Sequence, residues 1–292
     1  MTENHLQSTP QGRVLIIAGS DSSGGAGIQA DIKSRAAFGA YSMTAITAVT
    51  AQNTTGVQQV EFMSPELVRA QIRSTLSDIG ADVVKIGMLG TKDIIEVVAE
   101  EIEPLDAFII LDPVAVATSG DTLLQEDAIT ALKETLLPLA DLVTPNVPEA
   151  ELLTGLKIAD VDDLTKAGDV LLEKNVYAAL MKGGHLDGKS VVDVLVSEEG
   201  ANIMSGPRLH SRHTHGTGCT LASAIAANMA LGASLDEAVM TARDFVFQAI
   251  RSAPGFGEGH GPLNHGLAIG EEDEGEEEPD PSNPFAALKG MH

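Results

Sequence analysis

Apolar positions along this chain fall into two alternating patterns. Short continuous runs, such as Val14–Ala18, have the length of buried strands. Between them, apolar residues recur every third or fourth position, the period of a helix with one buried face. The pattern predicts strands at Arg13–Ala18, Tyr41–Val49, Val83–Ile86, Ala107–Leu111, Asp141–Val143 and Tyr177–Met181, then a hairpin of Val191–Val196 and Ala201–Ser205. It predicts helices at Ile28–Phe38, from Pro65 onward, at Thr91–Ile102, Glu126–Leu137, Asp162–Lys174 and Leu235–Ser252. Strands alternating with helices make an α/β fold: a central, mostly parallel sheet with helices on both faces. In such sheets ligands bind beyond the C-terminal ends of the strands. Polar and glycine clusters follow those ends at Gly19–Gly27, Gln52–Asn53, Gly87–Met88, Asp112, Asn146–Glu149 and Lys182–His185.

The stretch His213–Leu231 combines two signals. A polar turn with Gly216 and Gly218 leads into a small-residue helix, with Leu221, Ala224, Ile225 and Met229 near one face. The first N–H groups of a helix lack internal acceptors, and the helix dipole adds partial positive charge there. Glycine lets the backbone close on an anion. Cys219, the only cysteine, ends this turn. A thiol at a helix N-terminus ionises more easily than a free one, so Cys219 is a candidate base. The plainer alternative is a small buried hydrophobe. The earlier loop Ser20–Gly27 also joins a strand to a helix, but its spacing does not match the dinucleotide fingerprint. Ser22 or Ser23 would serve as an N-cap there.

Charge narrows the partners. The formal net charge is −24, and Glu271–Asp280 alone holds eight acids. Nucleic acid and anionic membrane are poor partners for such a surface. Without the tail the chain is still strongly acidic, which fits a high-salt cytoplasm. No stretch is long and apolar enough to span a membrane. Met1–Gly12 lacks the order of a signal peptide, and a single cysteine fits a reducing cytoplasm.

Several motifs occur in one order: A-G-S-D-S-S-G-G-A-G-I-Q-A-D (Ala18–Asp31), T-A-V-T-A-Q-N-T-T-G-V (Thr47–Val57), K-I-G-M-L (Lys85–Leu89), D-P-V (Asp112–Val114), T-P-N-V-P-E-A (Thr144–Ala150), M-K-G-G-H (Met181–His185) and T-H-G-T-G-C-T (Thr214–Thr220). With them the chain resembles the ribokinase-like superfamily, and within it the hydroxymethylpyrimidine/phosphomethylpyrimidine kinases of thiamine biosynthesis. The resemblance implies a kinase domain over residues 13–269, with a flexible 1–12 before it; composition makes 270–292 an acidic disordered tail. It implies an ATP-dependent, Mg²⁺-assisted phosphorylation of 4-amino-5-hydroxymethyl-2-methylpyrimidine and then of its monophosphate.

The resemblance also implies roles. Gly216, Thr217 and Gly218 would form the anion hole, and Cys219 would take the substrate's hydroxyl proton. Gln52 and Asp31 would bind the pyrimidine, with Gly19, Met88 and Val114 lining its pocket; Asp31 has the alternative of an exposed acid on the first helix. Lys182, Asn146 and Thr214 would hold the nucleotide, with Glu149 and Asp112 toward Mg²⁺. For Lys182 the plain alternative is a solvated side chain. Enzymes of this fold often pair, so a homodimer is an expectation. Two positions depart from the family pattern: Ala115 after Asp-Pro-Val, and Glu258 where the C-terminal glycine loop often carries lysine. The second puts the monophosphate step in question. A pyridoxal or pyridoxine kinase of the same fold is the alternative function, and a non-catalytic pyrimidine sensor a more remote one.

Overall fold

The computed structural model describes residues 12–114 and 126–266. Ala115, the N-terminal segment 1–11 and the acidic tail 270–292 lie outside the described residues. Nine strands form one sheet in the order β3-β2-β1-β4-β5-β6-β7-β8-β9. They are β1 (Arg13–Asp21), β2 (Tyr41–Asn53), β3 (Gly56–Phe62), β4 (Val83–Ile86), β5 (Phe108–Leu111), β6 (Leu142–Val143), β7 (Ala178–Met181), β8 (Ser190–Ser197) and β9 (Gly200–Pro207). From β2 to β7 neighbours run parallel, while β3 at one edge and β8 and β9 at the other run antiparallel.

The helices are α1 (Gly27–Phe38), α2 (Pro65–Asp78), α3 (Lys92–Ile102), α4 (Glu126–Ala131), α5 (Val147–Thr154), α6 (Val161–Leu172), α7 (Thr217–Ala230) and α8 (Leu235–Arg251). Side chains alternate across the sheet, because a strand has a period of two. Leu15, Val84, Ile109 and Val143 pack with α2, α3, α4, α5 and α6 on one face. Val14, Val83, Ile110 and Leu142 pack with α7 and α8 on the other. The α/β reading therefore holds, with both faces covered.

Four local features depart from the predicted pattern. Gly56–Phe62, to which the pattern assigns no element, is a strand, and β2 runs on to Asn53 to pair with it. Its two-residue alternation is diluted by exposed glutamines, as suits an edge. Val147–Thr154 is a helix, opened by a capping box between Asn146 and Glu149. The helix predicted over Glu126–Leu137 is regular only to Ala131; it then widens over Leu132–Leu136 and tightens over Leu137–Leu139. Pro138 accounts for the ending, since it lacks an N–H and its ring crowds the preceding turn. Neither Ser22 nor Ser23 caps α1: Ala26 holds that position, without a side-chain bond.

Candidate active site

The site lies at the C-terminal ends of the parallel strands, where two glycine loops interlock. Gly216 is the N-cap of α7, with φ 80° and ψ 11°. A Cβ there would overlap the Gly25 carbonyl oxygen of the Ser20–Ala26 loop. Only glycine meets both demands. Thr217 closes the turn: its hydroxyl donates to the Thr214 carbonyl at 2.7 Å, and its N–H donates to the same oxygen at 3.3 Å. Thr214 thus anchors the turn at the head of α7.

Asp21 organises the other loop. Its carboxylate accepts from the N–H groups of Ser23 (2.8 Å), Gly25 (3.1 Å) and Ala26 (2.8 Å), and from the Ser23 hydroxyl. It also meets His215 Nε2 at 2.8 Å. Burial alone would raise this carboxyl, but the bonds from His215, Ser23 and Ala26 outweigh it and hold it below the usual range. Asp21 and His215 are both buried, so the pair pins one loop to the other. Gln52 Nε2 lies 3.5 Å from the same His215 nitrogen, and Gln52 Oε1 accepts from Thr50 at 3.1 Å. Met88 stands next to Gly19, with its sulfur 3.2 Å from where a Gly19 Cβ would sit. Val114 N–H bonds back to the Asp112 carbonyl at 2.8 Å. Four of the five expected pyrimidine-site residues therefore sit at this end of the sheet, Gly19 and Gln52 at the ends of β1 and β2 and Met88 and Val114 just after β4 and β5.

Asp31 is the exception. It is completely buried, neither on the cleft wall nor an exposed acid. Its carboxylate accepts from Lys85 Nζ at 2.9 and 3.1 Å and from the Ser223 hydroxyl at 2.6 Å. A carboxylate with no exposed surface cannot reach a ligand at this end of the sheet.

Lys182 is not a solvated lysine. Its ammonium lies 3.0 Å from Asp112 and 4.0 Å from Glu149, with Asp112 also bonded by the Thr144 hydroxyl at 2.9 Å. Burial alone would lower this lysine, but Asp112 and Glu149 raise it, so it stays charged. Burial alone would raise Asp112, but Lys182 and Lys85 hold it below the usual carboxylate range. A Cβ on Gly218 would lie 3.2 Å from Lys182 Nζ and 3.5 Å from Asp112. The buried charges therefore border the glycine turn. Asn146 and Glu149 serve first as a cap: Asn146 Oδ1 accepts from Glu149 N–H at 3.0 Å, and Glu149 accepts from Asn146 N–H at 2.8 Å.

The expectation of an easily ionised Cys219 is corrected. The thiol is half-buried, and burial pushes it up to about 12, against the pull of Lys85 and of the Gly27 N–H. Desolvation outweighs the helix terminus here. At neutral pH the resting group is a thiol.

In the first turn of α7, the Thr220 hydroxyl lies 2.9 Å from His265 Nε2. Burial first, and the Lys33 charge second, lower His265 to about 4 from an ordinary 6.5. The unfolded chain then binds the extra proton between those values. His265 therefore contributes its stability fully above pH 6.5, and loses it progressively as pH falls toward 4. Melting curves at pH 7 and pH 5 should show a wild-type loss worth roughly 1–2 kcal/mol, and His265→Gln should flatten it.

A cleft of about 420 Å³ collects Asp82, Glu103, Asp106 and Asp141 at the opposite ends of the strands. It shares no residue with the loops above. Sequence reasoning passed over Asp21, Lys85, His215 and Ser223. Asp21 and His215 stood inside quoted motifs, and an Asp two residues before a Ser-Gly-Gly run is a turn anchor by type. Ser223 carried no signal, because a serine four residues after Cys219 looks like helix filler.

The sheet order and its flanking helices define a ribokinase-like phosphotransferase fold. The fold resembles that of Staphylococcus aureus pyridoxal kinase in complex with ADP, with a TM-score of 0.82 at 36% identity, covering 88% of this chain and 94% of that one. The chain belongs to the phosphomethylpyrimidine kinase family, whose model matches residues 21–264. It is 47% identical over 258 residues to the hydroxymethylpyrimidine/phosphomethylpyrimidine kinase of Streptomyces coelicolor, covering 88% of this chain and 96% of that protein. The phosphomethylpyrimidine kinase of Clostridium difficile is 43% identical with a TM-score of 0.74, over 82% of this chain and 99% of that one. Backbone likeness thus ranks the pyridoxal kinase higher, and identity ranks the pyrimidine kinases higher. Identity is the better guide to substrate, since fold alone does not fix function.

Proposed function

We propose that the chain transfers the γ-phosphoryl group of ATP to the hydroxymethyl oxygen of 4-amino-5-hydroxymethyl-2-methylpyrimidine, and then phosphorylates the monophosphate, in thiamine biosynthesis. The observation that carries this is the Gly216–Cys219 turn bordered by the buried Lys182–Asp112 pair. Phosphoryl transfer needs mainly positioning and charge neutralisation. The N-terminal N–H groups of α7 and the Lys182 ammonium supply both. Gln52, against Thr50 and His215, offers donor and acceptor groups for an aminopyrimidine edge.

Among the described residues no three metal-ligating side chains converge. Asp112 and Glu149 do converge on one cation, the Lys182 ammonium. Two carboxylates suit an ion that keeps waters and phosphate oxygens as its other ligands. They would hold Mg²⁺ carried in with the nucleotide, and it would neutralise phosphate charge. Lys182, Asn146 and Thr214 would face the nucleotide. Cys219 accepts the hydroxyl proton only after losing its own, so its share of the rate is smaller than that of the charged groups.

The test is ADP release in Mg-ATP and KCl, on adding the pyrimidine and then its monophosphate. Release with both supports the two-step reading. Release with the first alone points to Glu258 as a real loss for the second step. Binding without release would make the chain a sensor.

We also propose a high-salt cytoplasm, on the strength of the net charge of −24, and a homodimer, on the habit of the fold. Among the described residues no helix is long and apolar enough to cross a membrane. At about 1 M salt the screening length falls to about 3 Å, which removes most of the self-repulsion of a surface at −24. The melting temperature should therefore rise between dilute buffer and molar KCl. An equal or lower value in KCl would contradict the salt adaptation. Sedimentation in the same salt reads the dimer.

A further inference from the structure

No step of the proposed reaction uses the contacts among Asp31, Lys85 and Ser223, yet their geometry is directed at the site. Cys219 and Ser223 are one turn apart on α7, and Gly27 and Asp31 are one turn apart on α1. Residues at that spacing share a helix face. One turn deeper than Gly27 and Cys219, the Ser223 hydroxyl donates to the Asp31 carboxylate at 2.6 Å. That bond ties α1 to α7 just below their first turns. Lys85, from β4, closes the contact from the sheet side with both Asp31 oxygens. All three side chains are fully buried. Gly87 leaves the space this needs, since a Cβ there would come within 3.1 Å of Lys85 Nζ.

We propose that Asp31, Lys85 and Ser223 are positioning residues for phosphoryl transfer: they clamp the N-termini of α1 and α7 around the Cys219 sulfur and keep a buried ammonium behind it. The inference rests on the kinase reading of this site. Its logic is that a glycine turn alone does not hold its N–H groups in place. The clamp fixes both the turn and the thiol from a dry layer beneath them. The charged groups that bear on Cys219 are Asp31 from α1, Lys85 from β4, Asp112 after β5 and Lys182 after β7.

The sole cysteine makes the test clean, because iodoacetamide labelling reads Cys219 alone. Lys85→Met on its own strands a buried carboxylate, so the variant is the double Lys85→Met/Asp31→Asn. It should remain folded, with the Cys219 labelling rate changed at least about threefold at fixed pH; the Lys85 and Asp31 charges act on the thiol in opposite directions and are removed together, so the change reads the thiol's placement. Its kcat should fall about tenfold, with KM for the pyrimidine within about twofold, as expected for misplaced groups. A folded double variant with wild-type labelling and kcat overturns the proposal. So does a lower kcat with unchanged labelling, because the effect would not pass through Cys219.

If the double variant does not fold, Ser223→Ala decides. It removes one hydrogen bond and should lower kcat about threefold at constant KM. Wild-type kcat and labelling in Ser223→Ala overturn the clamp. Cys219→Ala separates the two readings. If it keeps wild-type kcat, the thiol's catalytic role fails, while altered labelling in the clamp variants still supports the clamp.

Discussion

Gly216→Ala is expected to lower kcat by about 10²–10³-fold, the scale of losing anion-hole donors. Two independent features of the residue combine. Its φ of 80° lies in the left-handed region, where a side chain costs roughly 1–2 kcal/mol. Its Cβ would also overlap the Gly25 carbonyl oxygen, so the strain cannot be relieved by moving only Gly216. The Ser20–Ala26 loop must move with it, and that loop is tied through Asp21 to His215. The N–H groups at the head of α7 then point away from the transferred group. Steady-state kinetics should show the loss in kcat, with KM for the pyrimidine changed much less, because the lost contacts act on the transition state. A variant with near-normal kcat would mean that this turn does not receive the phosphoryl group.

Lys182→Met should be the more damaging change to stability. Removing one partner of a buried ion pair costs about 3–5 kcal/mol, because the other charge is left unpaired. Asp112 is that partner, 2% exposed with its carboxylate 3.0 Å from the ammonium. In the wild type Asp112 is held below the usual carboxylate range. Its pairing therefore contributes stability at pH values above roughly 4 and loses it as pH falls through the lower folded value. In Lys182→Met the sign of the dominant effect changes, since burial alone raises a carboxyl. The variant should then unfold more easily at pH 7 than at pH 5. Adding Asp112→Asn should restore much of the stability, because no charge is left stranded. It should not restore activity, and kcat should stay down by on the order of 10³-fold without the ammonium beside the turn. Recovery of both would make the pair purely structural.

The fold was legible because buried parallel strands are written as apolar runs, and β1, β4, β5 and β7 are of that kind. Gly56–Phe62 was not, since an edge strand with exposed Gln58 and Gln59 has little hydrophobic alternation to read. The glycine turn was legible for the same reason that it works: glycine at fixed places is a statement about backbone geometry. What polar residues do there was less so. Asn146 and Glu149 read as phosphate-side groups, while locally they are a helix cap, and one sequence pattern serves both. Asp31 read as a surface or substrate-facing acid because one sequence does not show that Lys85, 54 residues away, lies against it. Cys219 was misjudged for a physical reason. A helix terminus lowers a thiol, but burial raises it, and only the packed structure gives the balance.

The central claim is that this site phosphorylates a pyrimidine hydroxymethyl group. The most direct measurement is kcat/KM for 4-amino-5-hydroxymethyl-2-methylpyrimidine against pyridoxal, with Mg-ATP in molar KCl. A site built to hydrogen-bond one ring discriminates against another that leaves its polar groups unpaired. The account predicts a preference for the pyrimidine of at least about tenfold, or roughly 1.4 kcal/mol. An equal or larger kcat/KM for pyridoxal would contradict it, leaving the fold and the glycine turn but assigning them a different substrate.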